Sequence, residues 1–151
     1  MHNEIANELL PTSATQGSPE IIQTRQPSYT YNVEFEADGQ INGFTDGLKA
    51  MKLAVFKILS TERYRYPIYS WNYGIELEDL FGQPIPYVYA ELQRRITEAL
   101  EADDRIISVT GFEFSHDDGD VFAAFNVETI FGTLENITKA VSYTHLTLPT
   151  N

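Results

Sequence analysis

Chemistry in this chain would have to come from carboxylates, hydroxyls and three histidines, because the sequence contains no cysteine. Thiol nucleophiles, Cys-ligated zinc and disulfides are excluded on that ground. His2 and His145 lie near the two ends and His116 sits in a run of turn residues, with no Gly-x-Ser-x-Gly in the sequence. A nucleophile–base–acid triad therefore has no sequence signal. The run from His116 through Asp117, Asp118, Gly119 and Asp120 could attract a metal ion, yet it lacks the spacing of a calcium loop closed by a Glu. Asp and Gly are also what a tight hairpin turn requires. Asp103 and Asp104 before Arg105 read as a helix end and loop. Gly-x-Gly-x-x-Gly and Gly-Lys-Ser/Thr phosphate loops are absent. The sequence thus gives no reason to expect a catalytic residue, a metal or a cofactor.

The remaining carboxylates of interest, Glu62, Glu76, Glu78 and Asp79, flank aromatic residues that could stack sugars. A carboxyl pair held roughly 5–9.5 Å apart across a cleft could hydrolyse a glycosidic bond. Glu76, Glu78 and Asp79 equally suit a helix N-terminus, where acids are favoured. Between Glu62 and Glu76 lie four tyrosines, the only tryptophan and two arginines. That is the composition of a contact surface. The same rings could instead fill the core, and Tyr can do both by burying its ring and keeping its hydroxyl wet. The candidate partner-binding residues are Glu62, Arg63, Arg65, Tyr66, Trp71 and Tyr73.

The elements that must position these residues are legible as periodicity. Tyr29, Tyr31, Val33 and Phe35 alternate with polar residues as in a half-buried strand, and Asp38-Gly39 predicts a hairpin turn into a strand over residues 40–44. Thr45 or Asp46 can cap a helix over residues 46–60, whose stripe is Leu48, Met51, Val55, Ile58 and Leu59, with Lys49, Lys52 and Lys57 mostly off it. Residues 77–81 suit a short helical turn. Pro84 and Pro86 lead into a second helix over 87–103 with the stripe Val88, Leu92, Ile96, Ala99 and Leu100. Glu91 four residues before Arg95 is the favourable order for an ion pair. A strand pair follows: residues 107–114 with a parity switch at Thr110-Gly111 that predicts a bulge, then residues 121–131 in clean alternation. Residues 133–139 start a last strand. The fold class is α+β, with antiparallel hairpins packed against two core helices in the order ββ-α-α-ββ.

The 151 residues suit one domain, and 42% hydrophobic residues exclude a disordered chain. Twenty-two acidic residues against ten basic ones give a net charge of −12. Such a balance argues against nucleic acid and against an anionic membrane surface as partners. No apolar run reaches the roughly 18–20 residues of a membrane-spanning helix, and no signal peptide is evident, so a soluble intracellular product is the expectation. Residues 1–27 read as a flexible tail or as an arm that orders against a partner. The domain is expected over residues 28–140.

Four segments carry a family resemblance: DGLKAMK at 46–52, LSTERYRYPIYSWNYGIEL at 59–77, EDLFGQPIPYVY at 78–89 and VETIFG at 127–132. Together they resemble the XkdS-like family of tail proteins of contractile-tailed phages and defective prophages, over roughly residues 28–139. That family is similar to the baseplate wedge protein of T-even phages, the sheath-initiator family. The resemblance implies a virion structural protein of the tail baseplate, assembled in the host cytoplasm. Its implied partners are other baseplate wedge proteins and the tail sheath protein, with the tail tube as a further candidate. Sheath subunits in such tails exchange strands, so the resemblance also implies strand addition to a sheet edge formed by the final strands. The wider family carries Glu-Pro-Arg or Gly-Glu-Arg after its first core helix, used in wedge contacts. Glu62-Arg63 is the matching pair here, without the proline and with extra residues before Gly74. Relatives have also been labelled lysozyme-like, which makes a peptidoglycan hydrolase the alternative function. Residues 141–151, VSYTHLTLPTN, resemble a translated sequencing adapter and are expected to be non-native.

Overall fold

A computed structural model describes residues 27–34 and 40–142 of the chain. The expected Asp38-Gly39 turn, residues 1–26 of the tail expected over 1–27, and residues 143–151 lie outside the described residues. The elements are β1 (Thr30–Glu34), β2 (Gln40–Thr45), α1 (Gly47–Ser60), a 3₁₀ turn (Glu78–Leu80), α2 (Ile85–Glu101), β3 (Ile106–Asp117), β4 (Asp120–Thr129) and β5 (Gly132–Ser142). They form an α+β fold with two antiparallel sheets, β1-β2 and β3-β4-β5.

Each helix forms where its capping and apolar spacing put it. The Asp46 carboxylate accepts the N–H of Gly47 at 2.7 Å and caps α1. The Ser28 hydroxyl bonds the same carboxylate, and these two bonds hold it below its ordinary pKa. α1 buries Ala50, Met51, Leu53, Val55, Ile58 and Leu59, whereas Leu48 at its start is partly exposed. Pro84 precedes α2 and Pro86 occupies its first turn, where a missing N–H costs nothing. Val88, Leu92, Ile96, Ala99 and Leu100 are all buried, as the stripe predicts. Both helices lie on one face of the three-stranded sheet, α2 over β3 and β4, α1 over β5. Their apolar sides meet Val121, Ala123, Phe125 and Val127 of the central strand β4 in one core.

The sheet turns on two backbone features. Asp118 and Gly119 adopt φ of 43° and 88° between β3 and β4, the mirror-image turn that suits a two-residue hairpin. The register slips between Thr110 and Glu113, with Gly111 at φ +67°. This is the predicted bulge. It lets Phe112 and Phe114 join the core face that Val109 serves on the other side of it. A Cβ on Gly111 would stand 3.0 Å from the Asn126 side-chain nitrogen, so the close strand approach also favours glycine.

The β1-β2 ribbon has the expected period but the opposite face inward. Tyr29 and Tyr31 are exposed and Asn32 is buried. The rings cover one another instead: Phe44 of β2 stacks between Tyr29 and Tyr31, with centroids 5.1 and 4.9 Å apart. The last strand runs longer than expected, through Val141 and Ser142. Val141 is buried opposite Val121. The expected boundary after residue 140 therefore falls inside β5, at a register position that any valine would fill by facing the core.

Candidate functional site: a tethered aromatic belt beside an open sheet edge

Residues 61–84 hold little regular structure, and backbone bonds close them at their base. Arg63 N–H donates to Ile75 O at 3.1 Å and Ile75 N–H to Thr61 O at 3.0 Å, a short parallel bridge at Glu62 and Ile75. Gly74 permits this closure. Its φ is +95°, and a Cβ there would lie 2.5 Å from the Thr61 carbonyl oxygen.

Glu62 points into this base. Its Oε1 accepts the N–H groups of Leu77 at 3.1 Å and Glu78 at 3.5 Å, at the start of the 3₁₀ turn. Burial pushes its pKa up against those two bonds, and the charges of Glu78 and Glu76 push the same way. The Arg63 side chain is only 11% exposed. Its Nε donates to Gly74 O at 3.2 Å and its Nη1 to Glu98 at 3.0 Å, with Glu76 at 3.8 Å. Arg95 of α2 completes the tether. It donates to Glu76 O at 2.8 Å, to both oxygens of Asp79 and to Glu91 at 3.0 Å, the pairing its spacing predicts. Arg63 and Arg95 thus fasten the belt to α2, and Glu62 closes the belt on itself, all through bonds within the chain.

The other candidates face out. Trp71 is 76% exposed, beside an Ile68 at 85%, and Tyr66 is about half exposed. Arg65 is exposed and reaches Glu78 at 3.4 Å. Tyr73 stands between the two groups: it packs on the core, and Tyr69 stacks on it at 4.5 Å. Burial raises its phenol pKa. The belt therefore contains both an outward aromatic surface and an inward polar base.

The four carboxylates weighed for hydrolysis are all engaged. Asp79 is held below its ordinary pKa by the Arg95 bonds, whereas a general acid needs a raised one. Glu62 is raised, but one of its oxygens serves two backbone donors. Among the described residues, no group of three or more His, Asp or Glu side chains is arranged to hold a metal. No described helix is long and apolar enough to cross a membrane.

The edge expected at the final strands, residues 121–131 and 133–139, falls on β5 and not on β4, which is paired on both sides, and a groove without a sequence expectation runs beside it. In the order β3-β4-β5, strand β5 has a neighbour on one side only among the described residues. Beside it a groove of about 720 Å³ separates β5 from α1. Val55, Phe56 and Leu59 line one wall and Leu134, Ile137 and Lys139 the other, with Lys52 at the rim. Phe56 gave the one available signal: a large ring, half exposed, amid Lys49, Lys52 and Lys57 on the charged side of α1. Lys139 gave none, because a left-handed Asn136 (φ 53°) and a register slip in the β4–β5 pairing place it on the core face opposite Ala123. Burial lowers its pKa, partly offset by the charge of Glu62. The groove and the base of the belt are therefore neighbours.

Residues 27–132 match the family described as "Contractile injection system sheath initiator". The chain belongs to that family. It is also similar to the phage-like element PBSX protein XkdS of Bacillus subtilis (strain 168), at 44% identity over 120 residues, covering 77% of this chain and 82% of the relative. This sheath initiator is accordingly a structural component of a contractile phage tail, found in the virion, and not an enzyme. The initiator associates with other tail components, of which the sheath is one.

Proposed function

We propose that this initiator templates sheath assembly by accepting a strand on the open side of β5, while the outward face of the belt docks on baseplate wedge proteins. The observation that carries the first part is a strand edge without a pairing strand among the described residues, lying directly beside an apolar groove. A strand added there takes main-chain bonds from β5 at the usual spacing of about 4.8 Å and lays alternate side chains into the groove under α1. Each bond is weak alone, but repeated copies in a symmetric tail sum them into a stable ring. The outer side of β3, which also has no pairing strand among the described residues, is a poorer template. The Gly111 bulge bends it, and Tyr89 of α2 covers its end by bonding His116 at 2.8 Å and stacking on Phe114 at 5.0 Å.

For the belt, Arg65, Tyr66 and Trp71 supply the contact itself. Glu62 and Arg63 shape the loop that presents them, and Tyr73 joins that loop to the core. Assembly takes place in the host cytoplasm before the virion is complete.

Successive strand N–H groups face alternate neighbours, so of Ile137→Pro and Thr138→Pro one breaks pairing with β4 and the other removes only an edge donor. The variant that melts like the parent is the test. Expressed in place of the parent, it should give tail tubes without sheath by electron microscopy. Normally sheathed tails from it would refute strand addition on β5.

A further inference from the structure

The groove beside β5 is not uniformly apolar. Lys139 shares the core face with Ala123, which is fully buried, and its stem runs between Ile137 and Val141 on the same strand. Lys52, one turn before Phe56 on α1, enters the same groove from the opposite wall. Among the described residues neither ammonium is in an ion pair. Glu62 lies near enough for its charge to act on Lys139, yet its Oε1 is held by the N–H groups of Leu77 and Glu78 and the two side chains form no ion pair. Two cations thus face an apolar slot in a chain whose net charge is −12. Burying the occupant there would desolvate Lys139 further, at a cost that only an opposite charge offsets.

Resting on the strand-addition reading, we propose that the occupant is a partner strand with a carboxylate side chain seated between Lys52 and Lys139, flanked by apolar residues that fill the slot under Phe56. The main-chain bonds of β5 would fix only direction and spacing, and a strand can slide along them in steps of two residues without exposing the wrong face. The lysine pair would choose one register by matching one acidic side chain. Strands lacking an acid at that position would be rejected, because they would leave a half-buried ammonium unpaired. The partner fitting this chemistry is the sheath subunit, contributing an extended segment of alternating apolar residues interrupted by one Asp or Glu.

The test measures binding of the sheath subunit from the same tail to the full-length initiator and its variants, with thermal melts to confirm folding. Lys139→Met should weaken binding about tenfold or more, Lys139→Arg should keep most of it, and Lys52→Met should weaken it less. The folded proline variant of β5 should lose binding altogether. If Lys139→Met binds like the parent while the proline variant does not, the carboxylate seat is wrong and strand addition stands. If the proline variant also binds normally, the strand reading itself falls. Two further results would reassign the groove and overturn the proposal: self-association that Lys139→Met abolishes, pointing to a second copy, or a tenfold gain in affinity on deleting residues 1–26, pointing to the chain's own N-terminal segment.

Discussion

The belt over residues 61–84 and the α1–β5 side lie next to each other and reach stability by opposite means. Polar bonds tie the belt together: Glu62 to backbone N–H groups, Arg63 to Gly74 O and Glu98, and Arg95 to Glu76 O, Asp79 and Glu91. Its rings are then largely left to solvent. On the α1–β5 side most aliphatic chains go inward, where Met51 and Val55 of α1 and Leu134 and Val141 of β5 share one core with Phe125 and Val127 of β4, and the groove presents the main-chain edge of β5, the half-exposed Phe56 and two lysines. The first arrangement presents side chains on a fixed loop and the second presents backbone beside a slot. A protein needing two different partners can keep them apart in this way, since a side-chain surface and a strand edge select different ligands.

Breaking the apolar side should cost most. Phe125→Ala removes a fully buried ring at the centre of the sheet, and should lower unfolding free energy by about 3–5 kcal/mol in urea denaturation. Breaking the belt at its hinge comes next. Gly74→Ala must adopt a left-handed φ and displace the Thr61 carbonyl, for a loss of roughly 2–4 kcal/mol in the same assay. Arg63→Met leaves Gly74 O without the Arg63 donor and removes one of the two arginines that bond Glu98, the other being Arg94. Because Glu98 is half in solvent, the loss should be only about 1–2 kcal/mol. The outward residues sit at the end of the scale. Trp71→Ala should change stability by no more than about 0.5 kcal/mol yet reduce incorporation into baseplates. A stability loss from Trp71→Ala equal to that from Arg63→Met would erase the distinction between the belt's base and its face.

Acid sharpens the contrast further. Burial pushes the Asp103 carboxyl up, but its bonds to the Arg105 side chain and N–H outweigh burial and hold it below its ordinary pKa. Its contribution is therefore complete above the free-Asp pKa of about 3.9 and is lost as pH falls through the folded value. Glu62, with its pKa raised, has the opposite sign and takes stability away as pH rises past the free-Glu value of about 4.3. Asp103→Asn should flatten the acid limb of a stability–pH profile, and Glu62→Gln should flatten the rise in cost above it.

The helices, the Gly111 bulge, the Asp118-Gly119 turn and the β4 alternation were legible because one face of each element meets the core, and burial imposes a period. The inward face of β1 was misjudged because Tyr29, Tyr31 and Phe44 shield one another, which period alone does not distinguish from a core. The belt was legible as composition but not as roles. Glu62 and Arg63 stood out as a pair, whereas their inward direction depends on Gly74 and on Glu98, 35 residues beyond Arg63. The groove was invisible because the left-handed Asn136 breaks the alternation between Leu134 and the face shared by Ile137, Lys139 and Val141, and Asn tolerates φ > 0 without announcing it.

The account rests on β5 being the edge that receives the sheath. Hydrogen–deuterium exchange of the full-length initiator, with and without its sheath subunit, reads this directly. The amides of β5 that face away from β4 should slow on addition of the sheath subunit, while those on the outer side of β3 keep their rates. Slowing confined to β3, with β5 unchanged, would contradict it.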